Sequence, residues 1–101
     1  MAQPQAAPWQ TMLEQNAPGL LKNVAGVREA VLQEGALSFK VKTMMTMLCD
    51  ALLGHADGVA NIANRARAAG ASEEEIAETV GVAFLFGGMP ALVTAANAFR
   101  K

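Results

Sequence analysis

Apolar residues recur at three- and four-residue spacing along most of the chain, the pattern of helices with one buried face. Trp9 to Asn16 predicts a short first helix, and Pro18-Gly19 marks the junction after it. Leu20, Val24, Val27, Val31 and Leu32 give one face to a second helix over about residues 20–34, with Gly35 expected as its C′ residue. A third helix over about 38–53 gathers Val41, Met44, Met45, Leu48 and Leu52 on one side, and Gly54 interrupts it. A fourth over about 56–69 carries the stripe Val59, Ile62, Ala63, Ala66 and Ala69 and ends at Gly70.

The clearest local signal follows. Ser72-Glu73-Glu74-Glu75 is a capping box: the Ser72 hydroxyl can accept from the Glu75 amide while the Glu75 carboxylate reaches back to the Ser72 N–H. Three carboxylates also suit the positive end of the helix dipole. These glutamates are read as a helix start and not as an acid/base cluster. The fifth helix is expected to turn Ile76, Val80, Ala83 and Phe84 inward. Gly87-Gly88 breaks it, and Pro90 suits the first turn of a sixth helix ending near Phe99. Residues 1–8, polar and proline-punctuated, read as a loose arm ahead of a single domain over 9–101.

Composition turns these spacings into a fold class. The 101 residues include 21 alanines, two isoleucines and no tyrosine. Alanine is the best helix former, and the β-branched and aromatic residues that strands favour are scarce. The chain is therefore expected to be all-α, a compact domain of five to six helices. Hydrophobic residues make up 52% and charged residues 17%, which excludes a disordered chain. A folded monomer of this mass would keep roughly 5,400 Å² of surface wet. So few charges cover that area poorly, and self-association is expected. Net charge −1 with no large Lys/Arg cluster argues against nucleic acid as a partner. A single cysteine excludes an internal disulfide framework.

The run Thr79–Phe99 is uncharged over 21 positions, long enough to span a bilayer. Gly87, Gly88 and Pro90 interrupt it, so the expectation is buried helices and no membrane partner. Met1 to Pro8 shows neither a positive charge nor an apolar run, and cytoplasmic placement is expected.

Candidate chemistry is concentrated between residues 49 and 65: Cys49, Asp50, His55, Asp57, Asn61, Asn64 and Arg65. His55, the only histidine, stands beside Gly54 at a helix junction, where a neutral imidazole can act as a general base or simply cap a helix. Cys49, among Met47, Leu48, Leu52 and Leu53, reads first as a small buried hydrophobe. His55 and Cys49 are the candidate catalytic residues. Asp50, His55 and Asp57 fit no common metal-ligand spacing, so no metal is expected. No glycine-rich phosphate loop is present, and no cofactor is expected.

About residues 35–99 resemble the alkyl hydroperoxidase D-like / carboxymuconolactone decarboxylase family. Ala66, Gly70-Ala71-Ser72 and Glu74-Glu75-Ile76 match its alanine, its helix-ending Gly-Ala-Ser/Thr and its Glu-Glu-Ile. Val82 to Ala91 is similar to its final helix pair with a Gly-Gly-x-Pro break, and Phe39-Lys40-Val41-Lys42 to the Lys-x-Lys that opens its central helix. The resemblance implies an orthogonal helical bundle assembled as homotrimers or homohexamers.

The resemblance also marks what is missing. Redox members carry Cys-x-x-Cys-x-x-x-His; counting back from Gly70 puts His55, Gly58 and Ile62 at the two cysteines and the histidine. Thr43 stands where an acidic residue usually follows Lys-x-Lys. Peroxide reduction by that route needs an attacking thiolate, a resolving thiol and a proton relay. No dithiol peroxidase activity is therefore expected, and the redox site is read as degenerate. Two readings of function stay open. One is a cofactor-free acid/base enzyme using His55, assisted by Asp57, Asn61 or a neighbouring subunit. The other is a non-catalytic oligomeric module binding a small apolar ligand. A single-cysteine redox sensor at Cys49 is a third.

Overall fold

A computed structural model describes residues 7–100. Its elements are α1 (Pro8–Asn16), α2 (Pro18–Leu32), α3 (Phe39–Leu52), α4 (Ala56–Ala68), α5 (Glu73–Ala95) and a closing 3₁₀ turn (Ala96–Phe99). The protein is all-α. Of the expected N-terminal arm, residues 1–6 lie outside the described residues, and Pro8 is already the first residue of α1.

The described residues up to Gln33 form one compact unit and those from Glu34 onward a second. In the first, α1 and α2 make a helical pair in which no residue is buried. Met12, Leu20, Val27 and Val31 are exposed apolar side chains on it. Gly35 is not the C′ residue of α2: the helix ends at Leu32 with Gln33 as an extended cap, and no positive φ occurs at Gly35.

In the second unit α3, α4 and α5 enclose the core. Met47, Val59 and Ile76 are its largest fully buried side chains, and alanines 63, 66, 83, 91, 95 and 98 fill most of the rest. Side chains this small let the helix backbones approach closely. The α4 stripe is buried as expected at Val59, Ile62, Ala63 and Ala66. On α5, Ile76, Val80 and Ala83 are buried, whereas Phe84 is exposed, a correction to its expected inward position.

α3 departs further. Its buried face is Thr43, Met47 and Ala51, not the bulkier stripe Val41, Met44, Met45, Leu48 and Leu52. The narrow row at i, i+4 and i+8 meets the alanine-rich helices, which leaves the larger residues half-buried or exposed at the flank. Thr43 is accommodated because its hydroxyl donates to the Phe39 carbonyl at 2.7 Å.

Helix ends follow the local chemistry. Ser38 caps α3 by accepting from the Val41 N–H at 3.0 Å. The Ser72 capping box is complete: Ser72 Oγ accepts from the Glu75 N–H at 3.0 Å, and Glu75 Oε1 accepts from the Ser72 N–H at 2.8 Å. Within α5 the backbone leaves helical geometry at Gly88, with φ 68° and ψ −160°, and Pro90 lies in the first turn beyond. Glu73–Phe99 is nevertheless long and apolar enough to cross a membrane by length and composition, its most apolar 18 residues having a mean hydropathy of 1.7.

Candidate functional site

The junction between α3 and α4 brings the chemistry-bearing residues together. α3 ends in a Schellman arrangement around Gly54, whose φ is +82°. The Gly54 N–H donates to the Ala51 carbonyl at 3.3 Å, and the His55 N–H donates to the Asp50 carbonyl at 2.8 Å. The chain thus folds back so that residues 50 and 55 face each other. Their side chains then meet, with His55 Nδ1 2.9 Å from Asp50 Oδ1. His55 is the N-cap residue of α4, yet its side chain makes no capping hydrogen bond. The imidazole is 56% exposed and the Asp50 carboxylate 22%.

Gly58, one turn into α4, lies against the same carboxylate. A Cβ added there would stand 2.7 Å from Asp50 Oδ2 and 2.9 Å from Asp50 Cγ. Side-chain carbons do not approach that closely, so the Asp50 side chain occupies the space that a side chain at position 58 would need.

Asp57 does not join the pair. Its carboxylate accepts from Arg100 at 3.0 Å instead. Asn61 is exposed on α4. Cys49 is exposed, which corrects its expected burial. It lies on the flank of α3, next to Asp50 in sequence, because the buried row runs through Met47 and Ala51. Sequence reasoning placed Asp50 near His55 but singled out Asp57 and Asn61 as its helpers. The missed signal was the glycine: a helix ending one residue before Gly54 sets the last-turn residue Asp50 opposite the residue after the glycine.

A second feature lies between α3 and α5. Met44, Met45, Leu48 and Val82 wall an open groove of about 280 Å³, with Thr79 and Glu78 at its polar edge. It is built from the larger α3 side chains that the core leaves out. Nearby, Lys40 donates to Glu75 Oε2 at 3.0 Å and ties the start of α3 to that of α5. The Ser72 N–H and Lys40 together hold the Glu75 carboxyl below the usual carboxylate range. On the other side of α5, Arg67 donates to both Glu73 oxygens, at 2.7 and 3.0 Å, and to the Ala98 carbonyl at 2.8 Å. The Glu73 carboxylate raises the Arg67 pKa further.

An all-α unit of three packed helices with a polar corner at the junction of α3 and α4 defines the class of protein. The profile of the carboxymuconolactone decarboxylase family matches residues 18–101, and the chain belongs to that family. A carboxymuconolactone decarboxylase family protein from Legionella pneumophila, solved in its apo form, is similar at 26% identity with a TM-score of 0.82, over 87% of this chain and 79% of that one. A proposed carboxymuconolactone decarboxylase from Burkholderia xenovorans LB400 shares the fold at 23% identity with a TM-score of 0.85, over 92% of this chain and 74% of that one. Among curated proteins none matches.

Proposed function

We propose that this protein is a self-associating, cytoplasmic member of the carboxymuconolactone decarboxylase family that transfers a proton through His55 without a dithiol or a cofactor. The observation that carries this reading is the 2.9 Å contact between His55 Nδ1 and Asp50 Oδ1. A side-chain pair of this kind holds an imidazole for proton transfer. In a decarboxylation the electron pair of the breaking C–C bond stays on carbon while CO₂ leaves. Protonated His55 would give that carbon its proton, and solvent would restore the ring. The neutral ring could equally remove a proton next to a lactone carbonyl. Cys49, exposed beside Asp50, is the second candidate group.

The exposed apolar surface supports self-association, as a homotrimer or homohexamer. Large apolar side chains stand exposed within each unit, Val27 and Val31 in the first and Leu85, Phe86 and Val93 in the second. In this reading the apolar area is covered by copies of the chain and not by a bilayer or nucleic acid.

Carboxymuconolactone is the first substrate to test. Turnover lowered about 10²–10⁴-fold in His55→Ala is the expected result. Unchanged turnover in that variant eliminates His55, and Cys49→Ser tests the second candidate in the same assay. The groove walled by Met44, Met45, Leu48 and Val82 favours one alternative, a non-catalytic module binding a small apolar ligand. Ligand-dependent thermal stabilisation with no turnover would identify it.

A further inference from the structure

We propose that Asp50 is the positioning residue of His55, and that Gly58 is a glycine because its missing side chain admits the Asp50 carboxylate. The proposal deepens the proton-transfer reading and rests on it for its catalytic consequence.

The argument begins with donors and acceptors. An ionised carboxylate can only accept hydrogen bonds. Its 2.9 Å contact with His55 Nδ1 therefore puts the ring proton on Nδ1 and leaves the lone pair on Nε2. A free imidazole side chain prefers the opposite tautomer. The His55 N–H is bonded to the Asp50 carbonyl at 2.8 Å, which keeps the two residues within reach of that side-chain contact.

Gly58 supplies the space. All three outer atoms of the Asp50 carboxyl lie within 3.2 Å of where a Cβ at position 58 would be. Any side chain there would drive the carboxylate from His55. By the ungapped count from Gly70, positions 55 and 58 are those that redox relatives fill with two cysteines. In this chain a histidine takes the first, and the emptiness of the second holds that histidine's partner.

His55 is the only histidine, so its ring nitrogens can be read without assignment ambiguity in a two-bond ¹H–¹⁵N correlation spectrum of the full-length protein. With the ring neutral, the wild type is expected to show a protonated Nδ1 and an unprotonated Nε2. Asp50→Ala and Gly58→Ala are each expected to shift the ring toward the Nε2–H tautomer. Asp57→Ala, which removes only the partner of Arg100, is expected to leave it unchanged. Diethyl pyrocarbonate, which acylates a free imidazole nitrogen, should modify Nε2 several-fold more slowly in the first two variants, with circular dichroism verifying that each is folded.

An Nε2–H tautomer in the wild type, or a tautomer unmoved by both variants, overturns the proposal. Turnover separates it from the reading beneath it. If the spectra behave as expected while His55→Ala stays active, the positioning contact stands and the proton-transfer role falls.

Discussion

The Glu75 carboxylate accepts the Ser72 N–H through one oxygen and the Lys40 ammonium through the other, at 2.8 and 3.0 Å. One side chain therefore starts α5 and ties it to α3. Both contacts favour the ionised form, so the folded protein releases the Glu75 proton more readily than the unfolded chain. Its contribution to stability is complete above the ordinary carboxyl value of 4.5 and is lost as pH falls through the depressed folded value. Urea unfolding of wild type and Glu75→Gln at a series of pH values checks this. The gap between them should be widest near neutrality and close in acid; a gap independent of pH would refute the assignment. Ser72→Ala, which removes the other half of the box, should cost about 1 kcal/mol.

The break in α5 makes two adjacent glycines unequal in a testable way. Gly88 has φ 68° and ψ −160°, a region essentially confined to glycine that costs other residues about 1–3 kcal/mol. Gly87 raises a packing problem instead: a Cβ there would collide with Ala91 Cβ and stand 2.9 Å from Leu52 Cδ2. Gly88→Ala and Gly88→Asn should therefore both lower stability, since asparagine's tolerance is for the left-handed helical region and does not extend to ψ −160°. Gly87→Ala should be rescued in part by Ala91→Gly, which removes the nearest obstacle. Denaturant midpoints decide the matter, and rescue of Gly88→Ala by Ala91→Gly would contradict it.

Helix existence was legible in the sequence because glycine, proline and the capping serine punctuate it at nearly every junction. Gly54 and Gly70 stand at positive φ at the ends of α3 and α4, and the Ser72 box starts α5. Helix orientation was legible only where the buried stripe and the bulky stripe coincide. They do on α4. They do not on α3, where the core takes Thr43, Met47 and Ala51 and leaves the other large side chains at its flank. The exposure of Cys49 follows from that one rotation. The Asp50–His55 contact was illegible because it depends on how the chain turns after Gly54 and on empty space at Gly58.

Met47 tests whether this face of α3 carries the core. It is 1% exposed and lies in the one row of α3 that the core encloses. Met47→Ala should cost about 2–5 kcal/mol through lost burial and the cavity left behind. Met45→Ala, at the exposed wall of the groove, should cost within about 0.5 kcal/mol in a monomer. Similar losses in guanidinium melts of the two variants would place the core on the wrong side of α3.

The apolar surface gives the last prediction. Phe86 is 79% exposed and Leu53 70%. In a monomer, a surface substitution at either position should move stability by no more than about 0.5 kcal/mol. If another copy of the chain covers Phe86, a carboxylate there is buried without a partner, which is strongly unfavourable. Multi-angle light scattering of the wild type should give a mass that is a multiple of 10.5 kDa. Phe86→Glu should lower that mass, and its melting temperature should lose the concentration dependence that linked assembly imposes on the wild type. A wild-type mass of 10.5 kDa at every concentration would remove self-association from the proposed function. A multimer undisturbed by Phe86→Glu would instead move the interface elsewhere, with the exposed Leu20, Val27 and Val31 of α2 as the next face to mutate.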